Sequence, residues 1–112
     1  MRLYLSGPMT GCPDLNRPAF ASAAARWRAR GHDVVNPHDL PFEALWASLR
    51  PQTPFLGRWR DYMLADLSVL LTCRGIVLLA NWHQSPGARL EYQTATALGF
   101  LTFEDDFADA ND

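Results

Sequence analysis

Two acidic residues interrupt apolar helix stripes in this sequence, where a carboxylate needs a reason. Glu91 lies in the segment Ser85-Pro86-Gly87-Ala88-Arg89-Leu90-Glu91, where Ala88, Glu91, Ala95 and Leu98 recur at spacings of three and four. Asp66 lies in a second such stripe with Trp59, Met63, Leu67, Val69 and Leu70. Two readings of each acid are open. Either it sits at the edge of its stripe and reaches water or an arginine, or it is a partly desolvated carboxylate at a ligand site.

The elements that must position these acids are legible. Ile76 to Ala80 is a continuous apolar run, as expected of a strand buried on both faces of a parallel sheet. Ser85 is a suitable N-cap, Pro86 a suitable first helical residue, and Gly99 a stop about three turns later. Glu91 would then stand just outside the carboxyl end of a central strand, where open α/β sheets bind ligands. Arg2 to Ser6 alternates like a strand and breaks at Gly7-Pro8-Met9-Thr10-Gly11, a loop of the kind that lets backbone N–H groups approach an anion. That loop has neither a Walker ending nor the dinucleotide fingerprint. Tyr4, within the strand, gains interest only if Glu91 is close to it.

A helix is predicted from about Asn16 to Arg30, with Phe20, Ala23, Ala24 and Trp27 inward and Gly31 as its stop. A short strand at Asp33 to Pro37 completes a βαβ unit, which a right-handed crossover makes parallel. Residues 37 to 57 carry four prolines and a short amphipathic segment, Phe42 to Leu49, with Trp46; this is either a lid or a packed flap. The next helix is predicted from Arg58 to Thr72, with Asp61, Ala65 and Ser68 on its outer side. A last strand is predicted at Phe100 to Phe103. The expectation is one α/β domain over residues 1–103, and an acidic, frayed tail over 104–112.

With 112 residues there is material for one core. A formal net charge of −2 excludes a general attraction to nucleic acid polymers, and no segment is apolar enough to span a membrane. The N-terminus has no basic region followed by an apolar signal core, so the cytoplasm is expected. All ten basic residues are arginine, and Arg26, Arg28 and Arg30 read as a solvated helix face. Cys12 and Cys73 lack metal-ligand spacing, and His32, His38 and His83 are isolated, so neither a metal nor another cofactor is expected.

On Tyr4-Leu5-Ser6-Gly7-Pro8-Met9-Thr10-Gly11, Ala65-Asp66-Leu67 and Ser85 to Glu91, residues 2 to 103 resemble the nucleoside 2-deoxyribosyltransferase superfamily, which includes the 2′-deoxynucleoside 5′-phosphate N-hydrolases. The resemblance implies a flavodoxin-like parallel sheet of about four strands with helices on both faces, and cleavage or exchange of an N-glycosidic bond. It implies Glu91 as the nucleophile that holds the sugar as an ester, and Asp66 as the second carboxylate, which holds a sugar hydroxyl or protonates the departing base. It implies Tyr4 as the residue whose hydroxyl orients Glu91.

Ser85 stands where the transferases tend to carry an acid and the 5′-phosphate hydrolases a serine, so the resemblance implies a nucleotide rather than a nucleoside as substrate. Ser6, the loop Gly7, Pro8, Met9, Thr10 and Gly11, and Gly87 are expected to help bind it. Trp59 and Trp82 could stack on a base; Trp59 is expected in the core, whereas Asn81 and Trp82 directly follow the central strand. A homo-oligomer is also implied. Base exchange and a catalytically silent nucleotide sensor stay open as alternatives to hydrolysis.

Overall fold

The architecture follows from the alternation of β1 (Arg2–Ser6), whose side chains feed two separate cores. In the computed structural model, which describes residues 1–105, Leu3 and Leu5 point to one face of the sheet and pack with Val34, Val77 and Leu79. Tyr4 points to the other face, with Val35, Ile76 and Leu78. The remaining strands are β2 (Asp33–Val35), β3 (Gly75–Leu78) and β4 (Leu101–Glu104). All pairings are parallel, in the order β2-β1-β3-β4. This is a flavodoxin-like α/β domain.

The chain moves one way from β1 to β2 and the opposite way from β2 to β3 and β4. A constant right-handed crossover therefore puts the first helix on one face and the later ones on the other. Helix α1 (Arg17–Ala29) covers the first face with Phe20, Ala23, Ala24 and Trp27, the four residues of its expected stripe. Helices α3 (Trp59–Leu70) and α4 (Pro86–Ala97) cover the second, through Val69, Leu70 and Ala95. Burying a side chain the size of Phe20 contributes about 1.5–3 kcal/mol, so each face is held by several such contributions. The expected stops are present, with Gly31 at φ +92° and Gly99 at φ +76°.

Residues 37–57 form a packed flap. Helix α2 (Phe42–Leu49) matches the expected amphipathic segment, Trp46 is buried, and its indole N–H donates to the Thr53 carbonyl at 2.7 Å. Phe42 and Phe55 each meet Tyr62 of α3 edge to face. This flap corrects two expectations about α3. Asp61, placed on the outer side from its spacing, is 3% exposed, because the chain entering α3 turns donors onto it; Asp61 accepts from the backbone N–H of Leu56, in the flap, at 3.1 Å and of Arg58, the N-cap of α3, at 3.2 Å. Ala65, expected beside it in solvent, is also buried. Trp59, expected in the core, is 55% exposed, since it is the first residue of the helix and projects beyond the sheet.

Two smaller differences lie near the end of the chain. Leu98 leaves the α4 stripe and is exposed, because it is the C-cap residue with φ −92° and ψ 3°, no longer helical. Glu104 belongs to β4, and Asp105 is held by the Leu78 carbonyl, by Arg26 and by the Trp27 indole. The rest of the expected tail, 106–112, lies outside the described residues. Among the described residues no helix is long and apolar enough to cross a membrane.

Asp61 fixes where α3 begins and so the depth at which Asp66 enters the core. Asp61→Ala should lower unfolding stability by about 1–2 kcal/mol through loss of these buried acceptor bonds. Asp61→Asn, which keeps an acceptor oxygen, should lose less, and urea denaturation of the three proteins checks the order.

Candidate active site

The site starts from the second face of β1. Residues two apart on a strand share a face, so Tyr4 and Ser6 both point toward α3 and α4. Glu91 descends from α4 to meet them: the Tyr4 hydroxyl donates to its Oε2 at 2.5 Å and the Ser6 hydroxyl to its Oε1 at 2.7 Å. Tyr4 is fully buried, Ser6 almost so, and Glu91 is 5% exposed. Asp66 enters from α3, 8% exposed, and its Oδ1 has no hydrogen-bond partner. The four side chains converge at the carboxyl ends of β1 and β3, where the connections depart in opposite directions. Open α/β sheets bind ligands at this switch point.

No salt bridge among the described residues involves either acid, so burial governs their protonation. Desolvation pushes the Glu91 carboxyl up to about 7, with the Tyr4 and Ser6 hydroxyls resisting the rise because both donate to the ionised form. Desolvation, then the nearby Glu91 charge, pushes Asp66 up to about 8, partly offset by the Tyr4 hydroxyl. Tyr4 is itself held well above its usual range by burial and by both acids, so it remains a donor. Between the two carboxyl values the pair carries one proton. Glu91, with two donors, is the anion, and Asp66, with none on its Oδ1, is the acid. Divergent environments of this kind assign acid and base roles within a pair.

The start of α4 is built as its sequence indicates. Ser85 caps it, its Oγ accepting from the Ala88 N–H at 3.1 Å. The Arg89 N–H bonds the Ser85 carbonyl and Pro86 has no N–H, so Gly87 supplies the free backbone donor of this turn, alongside the Ser85 hydroxyl. Gly87 also lets α4 approach α3: a Cβ there would stand 3.2 Å from Met63 Sδ.

The other expected binding residues have these surroundings. Ser6, expected to touch substrate, is committed to Glu91; its position two residues from Tyr4 was the signal for that role. Gly7 is buried, and a Cβ there would be 2.8 Å from Leu79 Cβ, so glycine serves the close approach of two strand ends. Met9 packs on the α1-side core, and the Pro8 carbonyl accepts from the Asn16 amide at 2.9 Å. Thr10 and Gly11 are exposed in the loop beyond.

Pro8 and Asn81 line a cavity of about 360 Å³ on the α1 side, which Tyr4, Asp66 and Glu91 do not line. Trp82 is engaged within the protein, stacked on His83 with centroids 4.2 Å apart and tilted against Tyr92 at 4.7 Å, because the short turn after β3 folds it back onto the core. Among the described residues no group of three or more His, Cys, Asp and Glu could hold a metal ion.

Fold and site together define a small α/β domain with a buried carboxylate pair at its switch point, both members raised in proton affinity by burial. The chain belongs to the family described as a domain of unknown function, DUF4406, whose model matches residues 1–103. None of the curated proteins compared matches it.

The linkage of these acids to stability has a definite sign. Both carboxyls bind their protons more tightly folded than unfolded, so between about pH 4 and pH 8 the native state holds more protons and stability falls as pH rises. Asp66→Asn removes one such group. Its melting temperature relative to wild type should increase progressively from pH 4 to pH 8.5, as thermal scans across that range would show.

Proposed function

We propose that this protein is a hydrolase of the N-glycosidic bond of nucleoside 5′-monophosphates, acting through a covalent glycosyl ester on Glu91. The observation that carries this reading is the buried Glu91 carboxylate, held by the Tyr4 and Ser6 hydroxyls beside an Asp66 that retains its proton near neutral pH. It is supported by the resemblance to the nucleoside 2-deoxyribosyltransferase superfamily at Tyr4, Asp66 and Ser85 to Glu91.

In the first step a Glu91 oxygen attacks the anomeric carbon as its bond to the base nitrogen breaks. The bonding electrons leave with the base, and Asp66 donates the proton that neutralises it. The Tyr4 and Ser6 hydroxyls, already aimed at Glu91, hold the carboxylate so that each oxygen keeps a lone pair for an oxocarbenium-like transition state. In the second step the Asp66 carboxylate takes a proton from water, which attacks the same carbon. The ester bond breaks, the sugar 5-phosphate leaves, and Glu91 and Asp66 return to their starting states. The Ser85 hydroxyl and the Gly87 N–H, at the positive end of α4, are donors suited to the 5′-phosphate.

Release of free base from a panel of ribo- and deoxyribonucleosides and their 5′-monophosphates tests the proposal. Base should be released from monophosphates without an acceptor base. Release only when a second base is supplied would instead identify base exchange, and ligand binding without turnover would identify a sensor. Glu91→Gln should lower turnover by roughly 1,000-fold or more, as removal of a nucleophile does, while circular dichroism shows the fold retained; wild-type turnover in that variant would refute the mechanism. Ser85→Asp should weaken binding of monophosphates more than of nucleosides through like-charge repulsion. Equal losses in both series would remove the phosphate site.

The pH profile of turnover should be a narrow bell with limbs near 7 and 8, set by ionisation of Glu91 and of Asp66. Tyr4→Phe removes a donor that favours the Glu91 anion, so its lower limb should move to higher pH. A limb that stays in place would show that the tyrosine does not act on the carboxylate.

A further inference from the structure

The four tryptophans have different surroundings. Trp27 and Trp46 are buried, and Trp82 is stacked on His83 and Tyr92. Trp59 is 55% exposed. A lone exposed indole on a surface needs no explanation, but its position here ties it to the carboxylate pair.

On α3, Trp59, Met63 and Asp66 are spaced by four and three residues and share one helix face; on α4, Gly87 and Glu91 are spaced by four and do the same. The two faces meet at Gly87, where a Cβ would stand 3.2 Å from Met63 Sδ and 3.8 Å from Trp59 Nε1. Glu91 lies one turn deeper along α4, about 6 Å by helix rise. The exposed indole and the buried Met63 thus border the same α3–α4 contact at Gly87, and Asp66 and Glu91 each stand about one turn further along their own helices. On α4, Gly87 and the buried Ala88, four and three residues before Glu91, are both small. Asp66, on the same α3 face, is nine-tenths buried and its Oδ1 has no hydrogen-bond partner.

We propose that Trp59 is a specificity residue of this site, its indole stacking on the aromatic base of the bound nucleotide. The inference rests on the nucleotide reading above and adds which part of the substrate runs along α3. Asp66, the proton donor to the departing base, stands on the same α3 face as Trp59, whereas Ser85 and Gly87, the phosphate donors, belong to α4. The base is thereby assigned to the α3 side and the sugar phosphate to the α4 side. The Met63 thioether between them is a favourable neighbour for an aromatic ring.

Isothermal titration in a Glu91→Gln background, which prevents turnover, compares the four deoxynucleoside 5′-monophosphates with 2-deoxyribose 5-phosphate. Adding Trp59→Ala should weaken nucleotide binding about tenfold, in the range of a lost base–aromatic stack, and leave the sugar phosphate unchanged. Trp59→Phe should restore most of the affinity. Nucleotides, but not the sugar phosphate, should quench the tryptophan fluorescence of the Trp59 protein, and that quenching should disappear in Trp59→Phe.

Unchanged nucleotide affinity in Trp59→Ala would overturn the assignment, as would an equal loss for the sugar phosphate. A change in oligomeric mass by light scattering, with loss of both ligands, would overturn it in favour of a subunit contact. The two proposals fail separately: absence of nucleotide binding with Trp59 intact overturns the nucleotide reading and this one with it, whereas failure confined to the Trp59 variants overturns this inference alone.

Discussion

Two carboxyl groups buried within one small core, with no cation bonded to either among the described residues, form the constraint on which the rest of this structure depends. An isolated buried carboxylate is costly by several kcal/mol, and two together are worse by their mutual repulsion. The protein meets this with a raised proton affinity at both groups and by aiming two hydroxyls at one member. The charge is then localised on Glu91, where charge-assisted bonds from Tyr4 and Ser6 offset part of the desolvation. A core that needed only stability would place apolar side chains at residues 66 and 91. The proposed function gives the raised proton affinity of acids at these two positions a use.

Each layer of the fold contributes to that arrangement. The alternation of β1 sends Leu3 and Leu5 into the α1-side core while presenting Tyr4 and Ser6 to the opposite face. The order β2-β1-β3-β4 places a switch point beside those two residues, so that α4, leaving β3, lays Glu91 over the end of β1. The flap of residues 37–57 then fixes α3 through Asp61 and the Tyr62 ring cluster, which sets the depth of Asp66. The small residues Gly87 and Ala88 allow α4 to lie close to Met63. Stability and proton affinity are thus set by the same contacts.

Much of this was legible in the residues because it follows local periodicities. The stripe of α1, the Ser85 cap, the Gly99 stop and the short α2 segment all follow from spacing within one element. Glu91 and Asp66 stood out because an acid in such a stripe contradicts its surroundings. What escaped that reading is what helical periodicity does not carry. Asp61 was placed in solvent because the stripe pattern does not register its place at the third position of α3, where it takes the N–H groups of Leu56 and of the N-cap residue Arg58 just upstream. Trp59 was placed in the core because its spacing fits the stripe, whereas its position at the first turn carries it past the sheet. Trp82 follows the central strand as a ligand-contacting residue would, yet the turn at residues 82–84 folds its ring back against Tyr92.

The central claim is that Glu91 and Asp66 share one proton near neutral pH, with the charge on Glu91. A carbon-13 NMR titration of the carboxyl carbons, with the two signals assigned through Glu91→Gln and Asp66→Asn, measures this without any substrate. The account predicts that both carboxyls titrate well above the ordinary carboxylate range, Glu91 near 7 and Asp66 near 8, in that order. Ordinary titration of both near pH 4, or ionisation of Asp66 before Glu91, would contradict it.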